Sequence, residues 1–241
     1  MFIGRFRLFV LCLGTALVAG LGHASTITYS DPNAWASATT GTSEITFEGI
    51  APPGSFTNEG TSTGLTIDGT QFIGQLTAST YMLNVTDQLY APPYFNWNEP
   101  ATLESPIYNL PADPTFVPYI HVVLPSNTTA FAALLGTVSP NSLSYEVTLS
   151  DGETFTVGTS ARPTLTFFGV TTDDPITYAN FTLLNPGTFS GSYGILTNFQ
   201  VGTSDQSGGG SGQTPEACTL ILIGSGLVAL RAFRNHLPAF G

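Results

Sequence analysis

Few residues in this chain have the type and setting to do chemistry. His121, in the run Tyr119-Ile120-His121-Val122-Val123-Leu124-Pro125, is the one histidine between the terminal segments. An imidazole there could serve as a general base. The run around it alternates as a strand does, however, and no GxSxG elbow or comparable signature surrounds any serine. His121 therefore reads as a hydrogen-bonded structural residue. Carboxylates are plentiful, and two at the right separation would suit glycoside hydrolysis, but no motif selects a pair. Asp151 and Asp173-Asp174 offer the oxygen ligands that a structural Ca²⁺ takes. The chain has no EF-hand loop or Gly-Asp nonapeptide repeat, and turn chemistry accounts for the same aspartates. Tyr94, Phe95 and Trp97 are the remaining candidates. Flat apolar rings of this kind form a platform on which the face of a sugar ring stacks. The alternative is that they cap one end of a core. The expectation is a chain without catalytic residues, without a cofactor and without a metal, a structural Ca²⁺ being the one exception considered.

The charge pattern narrows the partners. The 241 residues include no lysine, and the five basic residues are Arg5, Arg7, Arg162, Arg231 and Arg234. Between Ser25 and Ser204 one arginine stands against fourteen carboxylates, a formal net charge of −13. Such a surface repels phosphate, which argues against nucleic acid and anionic lipid. The two cysteines, Cys12 and Cys218, both lie in the terminal segments. The central region therefore holds neither a disulfide framework nor a zinc-thiolate site.

The elements that must position any site read as β throughout residues 25–201. Short runs rich in Thr, Val, Ile, Phe and Tyr are bounded by Gly, Pro, Asn and Asp. Glu44 to Glu48 alternates polar and apolar. Leu65–Ile67 and Gln71–Ile73 flank Asp68-Gly69, a dipeptide suited to positive φ. The clearest hairpin is 143–157, with Leu143, Tyr145, Val147 and Leu149 on one face and Asp151-Gly152 as its turn. Further strands are expected at 119–124, 130–135, 165–170, 176–183 and 195–201. About ten short strands imply an all-β fold, a β-sandwich of jelly-roll, galactose-binding-like or concanavalin-like form. Residues 90–116 carry six prolines, which keep most of that segment out of a central strand and suggest a long ordered loop.

Both ends read as processing segments. Arg5 and Arg7, the uncharged run Leu8 to Leu21 and the small-x-small triplet Gly22-His23-Ala24 make a secretory signal. It implies export by the Sec translocon and cleavage by signal peptidase between Ala24 and Ser25. Residues 202–214, GTSDQSGGGSGQT, form a flexible linker. Then come Pro215-Glu216, an uncharged run at 217–230, and Arg231 and Arg234. As a helix, fourteen residues reach roughly 21 Å. A bilayer core is about 30 Å thick, so the run anchors a precursor only weakly.

This tail resembles the PEP-CTERM sorting signal of exopolysaccharide-producing Gram-negative bacteria. That signal has a Pro-Glu-Pro motif, a short transmembrane helix and a basic cluster. Pro215 and Glu216 match the motif, 217–230 the helix, and Arg231 and Arg234 the cluster. Ala217 replaces the second proline, and NHLPAFG extends beyond the arginines. Residues 45–74, 129–157 and 167–183 are similar to a β-sandwich domain that many such proteins carry. The resemblance implies an exosortase as partner, cutting near Pro215-Glu216. Taken with the acidic β-domain and the missing catalytic constellation, the sorting signals point to an exported, non-catalytic protein of the cell surface or extracellular matrix, associated with exopolysaccharide in biofilm. A carbohydrate-binding module is the alternative, and a glycoside hydrolase-like enzyme a weaker one.

Overall fold

In the computed structural model, the described residues are 25–59, 63–74, 83–91, 97–105, 119–184 and 194–205. They form an all-β sandwich of two antiparallel sheets with one short helix. The eight-stranded sheet is ordered β1 (Thr26–Tyr29), β12 (Thr166–Thr172), β9 (Ala130–Thr137), β14 (Gly194–Ser204), β7 (Ala101–Glu104), β6 (Leu83–Asp87) and β3 (Phe56–Glu59). The eighth strand, β2 (Thr39–Ile45), pairs with the far end of β14. The six-stranded sheet is ordered β11 (Thr154–Thr159), β10 (Leu143–Leu149), β13 (Tyr178–Leu184), β8 (Tyr119–Val123), β5 (Thr70–Ile73) and β4 (Leu65–Ile67).

Period-2 side chains supply the core. From the eight-stranded sheet come Leu83, Val85, Leu103, Phe131, Ala133, Leu135, Phe168 and Val170; from the six-stranded sheet come Phe72, Ile120, Val122, Tyr145, Val147, Phe181 and Leu183. Phe131 stacks on Phe199 at 5.8 Å, and Phe181 and Phe72 meet Phe199 edge-on at 6.2 and 5.4 Å. Each such buried ring contributes about 2–3 kcal/mol through the water it sheds. Tyr145 ties the layers together. Its hydroxyl donates to the Gly136 carbonyl at 2.8 Å and to that of Ile195 at 3.2 Å. Burial pushes its phenol above the ordinary range, so it stays a donor.

Both expected hairpins form. Asp68 and Gly69 take positive φ between β4 and β5, and Gly152 does so between β10 and β11. Other expectations need correction. The strand expected at 44–48 ends at Ile45, because Phe47 takes φ +59°. Residues 25–201 are not β throughout: α1 (Pro32–Ser37) starts at Asp31, whose Oδ1 accepts from Asn33 N at 2.9 Å, with Pro32 in the first turn. The last strand runs on to Ser204, pairing Thr203 and Ser204 with Thr40 and Thr39, so the sandwich continues past Val201. β7 lies in the proline-rich segment and is a central strand all the same. Its four residues fit between Pro100 and Pro106, so no proline interrupts the ladder.

The outer faces of the two sheets differ. On the eight-stranded sheet, Trp35 of α1 lies over Gly169 and donates through Nε1 to the Val170 carbonyl at 3.1 Å. A Cβ on Gly169 would stand 2.6 Å from the Trp35 ring, so only glycine lets the indole settle. Trp97 covers the same sheet at Gly136. No described helix packs on the outer face of the six-stranded sheet.

Candidate functional site

The open face begins with alternation. In β8, Ile120 and Val122 are buried while Tyr119, His121 and Val123 are half-buried on the other side. In β13, Ala179, Phe181 and Leu183 face the core, leaving Tyr178, Asn180, Thr182 and Leu184 outside. Register then sets the neighbours: Tyr119 faces Thr182, His121 faces Asn180 and Val123 faces Tyr178.

Tyr119, His121, Tyr178, Asn180 and Thr182 line an open hollow of roughly 500 Å³. The His121 and Tyr178 rings lie 5.2 Å apart, tilted by 38°. His121 Nδ1 and Asn180 Oδ1 are 2.6 Å apart. An amide oxygen only accepts, so Nδ1 carries the proton and the Nε2 of a neutral imidazole is the acceptor. The expected strand histidine with a hydrogen-bonded side chain is thus present, and it sits in the hollow. No serine and no carboxylate lines the hollow among the described residues. On β10, Glu146 faces Thr182 in register and so borders it.

Of the aspartates weighed as Ca²⁺ ligands, Asp151 and Asp173 accept hydrogen bonds through their carboxylates, and Asp174 through its main-chain carbonyl. Asp151 Oδ1 accepts from Glu153 N at 2.9 Å within its hairpin turn. Asp173 Oδ2 accepts from Ser25 N at 3.0 Å, and the Asp174 carbonyl accepts from the Thr172 hydroxyl. Among the described residues no three His, Cys, Asp or Glu side chains gather to hold a metal.

Of the aromatic trio, Tyr94 and Phe95 lie outside the described residues. Trp97 is 3 % exposed and packs with Val138 and Ile195, backed by Tyr90 and Leu165. The expected sugar platform is corrected at this residue: its ring is buried against the outer face of the eight-stranded sheet, over Gly136. Pro215, Glu216, Arg231, Arg234 and Ala24 also lie outside the described residues. Among the described residues, no helix is long and apolar enough to cross a membrane.

Sequence reasoning passed over Tyr119, Tyr178, Asn180 and Thr182. The i, i+2 pattern of YIHVV and YANFT is visible. What brings the two runs side by side is a pairing between strands 59 residues apart at His121 and Asn180. That pairing leaves no local trace.

No family model matches the chain, and no curated protein matches it. Solved structures with some likeness include a cleaved adhesin domain of Lys-gingipain from Porphyromonas gingivalis, at 14 % identity and TM-score 0.37, over 63 % of this chain and 99 % of that one. A family 29 carbohydrate-binding module shows 13 % identity and TM-score 0.33, over 62 % and 89 %. A variant of the module CBM29-2 complexed with mannohexaose shows 14 % and 0.33, over 62 % and 92 %. Likeness at that level assigns neither a ligand nor a role to any residue here.

Proposed function

We propose that this chain is an exported, non-catalytic glycan-binding protein that attaches to exopolysaccharide through the outer face of its six-stranded sheet. The observation that carries the reading is the hollow itself. Two tyrosine rings line it, Tyr178 beside the His121 imidazole at 5.2 Å and Tyr119 further along the strands, with an amide and a hydroxyl between them. Sugars present the matching chemistry: apolar C–H faces for rings, and hydroxyls that both donate and accept. A glycosidase needs two carboxylates flanking the bond it cuts, and the described lining supplies none. Tyr178 and Tyr119 supply stacking surface, Asn180 and the His121 Nε2 supply polar contacts, and Thr182 supplies a hydroxyl.

Export follows from the two ends. In this reading the Sec translocon and signal peptidase remove residues 1–24, and an exosortase cuts near Pro215-Glu216 after the 217–230 run has held the precursor in the membrane. Arg231 and Arg234 hold the cytoplasmic end. Ser25 N donates to Asp173 Oδ2 at 3.0 Å, and β1 begins one residue later. Cleavage would replace that amide by an ammonium facing the Asp173 carboxylate, a charge-assisted contact.

The test is glycan binding by the wild type and by Tyr178→Ala on an array of polysaccharides. Loss of one stacking ring should weaken binding about tenfold. Unchanged binding by the variant would remove this face from the account.

A further inference from the structure

Register and charge on the open face specify more than a sugar. The outward residues of β11, β10, β13 and β8 form rows: Thr154, Thr148, Asn180 and His121 in one, and Thr156, Glu146, Thr182 and Tyr119 in the next. Glu146 is the one carboxylate in these rows, and no lysine or arginine stands in them. Glu146 stands directly opposite Thr182, a cross-strand separation of about 5 Å between Cβ atoms. Arg162, the one arginine between Ser25 and Ser204, lies in the connection from β11 to β12, outside these rows. The same region carries fourteen carboxylates. A ligand bearing carboxylates or sulfates would thus approach a strongly negative molecule and meet Glu146 beside the hollow.

The rings also have a direction. Tyr119 is level with Thr182, and Tyr178 lies four residues before Thr182 on the same strand. At about 3.3 Å per residue, the aromatic line extends about 13 Å along β8 and β13, with His121 between its ends. That exceeds one pyranose ring. Hydroxyls of Thr148, Thr154 and Thr156 extend the polar surface sideways.

We infer that this face takes several consecutive units of an uncharged polysaccharide, laid along β8 and β13, and discriminates against acidic chains. The inference rests on the glycan-binding reading and adds the ligand's charge and extent to it.

Titration calorimetry of the full chain in detergent, at pH 8 and low salt, tests both parts. The neutral probes are mannohexaose, cellohexaose and xylohexaose, with their monosaccharides; the acidic probe is hexagalacturonate. The best neutral hexasaccharide should bind at least about tenfold more tightly than hexagalacturonate, and added salt should narrow the gap by screening. Glu146→Gln should narrow it too, by about threefold, because it removes the nearest negative charge. The best hexasaccharide should also exceed its monosaccharide by at least about tenfold. Equal or tighter binding of hexagalacturonate would overturn the charge assignment and leave glycan binding standing. Equal binding of monosaccharide and hexasaccharide would overturn the extended site. Failure of every probe to bind would overturn this inference and the underlying reading together.

Discussion

Glu104 is the one buried carboxylate among the described residues, at 2 % exposure on β7. Burial pushes its carboxyl up to about 8, against hydrogen bonds from Thr86 and Asn84 that act the other way. Its Oε1 is buried without a partner. The sign of the consequence follows from linkage. Below pH 4.5 the group is protonated in both folded and unfolded chains and costs nothing. As pH rises from 4.5 towards 8 the unfolded chain ionises first, so stability falls across that window. Glu104→Gln should remove the slope and gain a few kcal/mol over wild type at pH 8, with little difference at pH 4. Urea unfolding at the two pH values checks this; parallel curves would show that the carboxyl ionises freely in the fold. Nothing in the sequence around Glu104 announces its burial, because it lies in the proline-rich segment where no strand is expected.

Local elements were legible where local chemistry fixes them. Asp68-Gly69 and Asp151-Gly152 mark their hairpins, since a two-strand unit with a tight turn is decided within fifteen residues or so. Asp31-Pro32 is the equally local start of α1, and its six residues are too few to show a helical period. β7 escaped notice because six prolines dominate the composition of residues 90–116 while leaving a gap wide enough for one short strand. Trp97 could be read from sequence as a platform or as a cap at one end of the core; it is buried instead on the outer face of the eight-stranded sheet. The paired runs at Tyr119 and Tyr178 were each visible as strands, but the hollow exists only through their long-range register. The first element carries its own prediction. β1 is an edge strand paired to β12 from Thr26 to Tyr29, and Ser25 N meets Asp173. Intact-mass measurement of the exported protein should show a chain starting at Ser25 and ending near Pro215-Glu216. Persistence of residues 217–241 in cells with an active exosortase would contradict the sorting assignment. A start within β1 would contradict the cleavage site.

At the scale of the molecule, the sandwich uses its two outer faces differently. Trp35 and Trp97 close the face of the eight-stranded sheet, each over a glycine that leaves room for it. The face of the six-stranded sheet keeps its rings and polar side chains half-buried around an open hollow. Under the proposed glycan-binding reading, the acidic charge of the domain selects among glycans rather than attracting them. The most direct test of this division is backbone hydrogen exchange, with and without the hexasaccharide that binds best. Slowed exchange should concentrate in residues 119–123 and 178–184, with no change across β9, β12 and β14. Protection confined to the eight-stranded sheet, or to the loops at the ends of the sandwich, would contradict it.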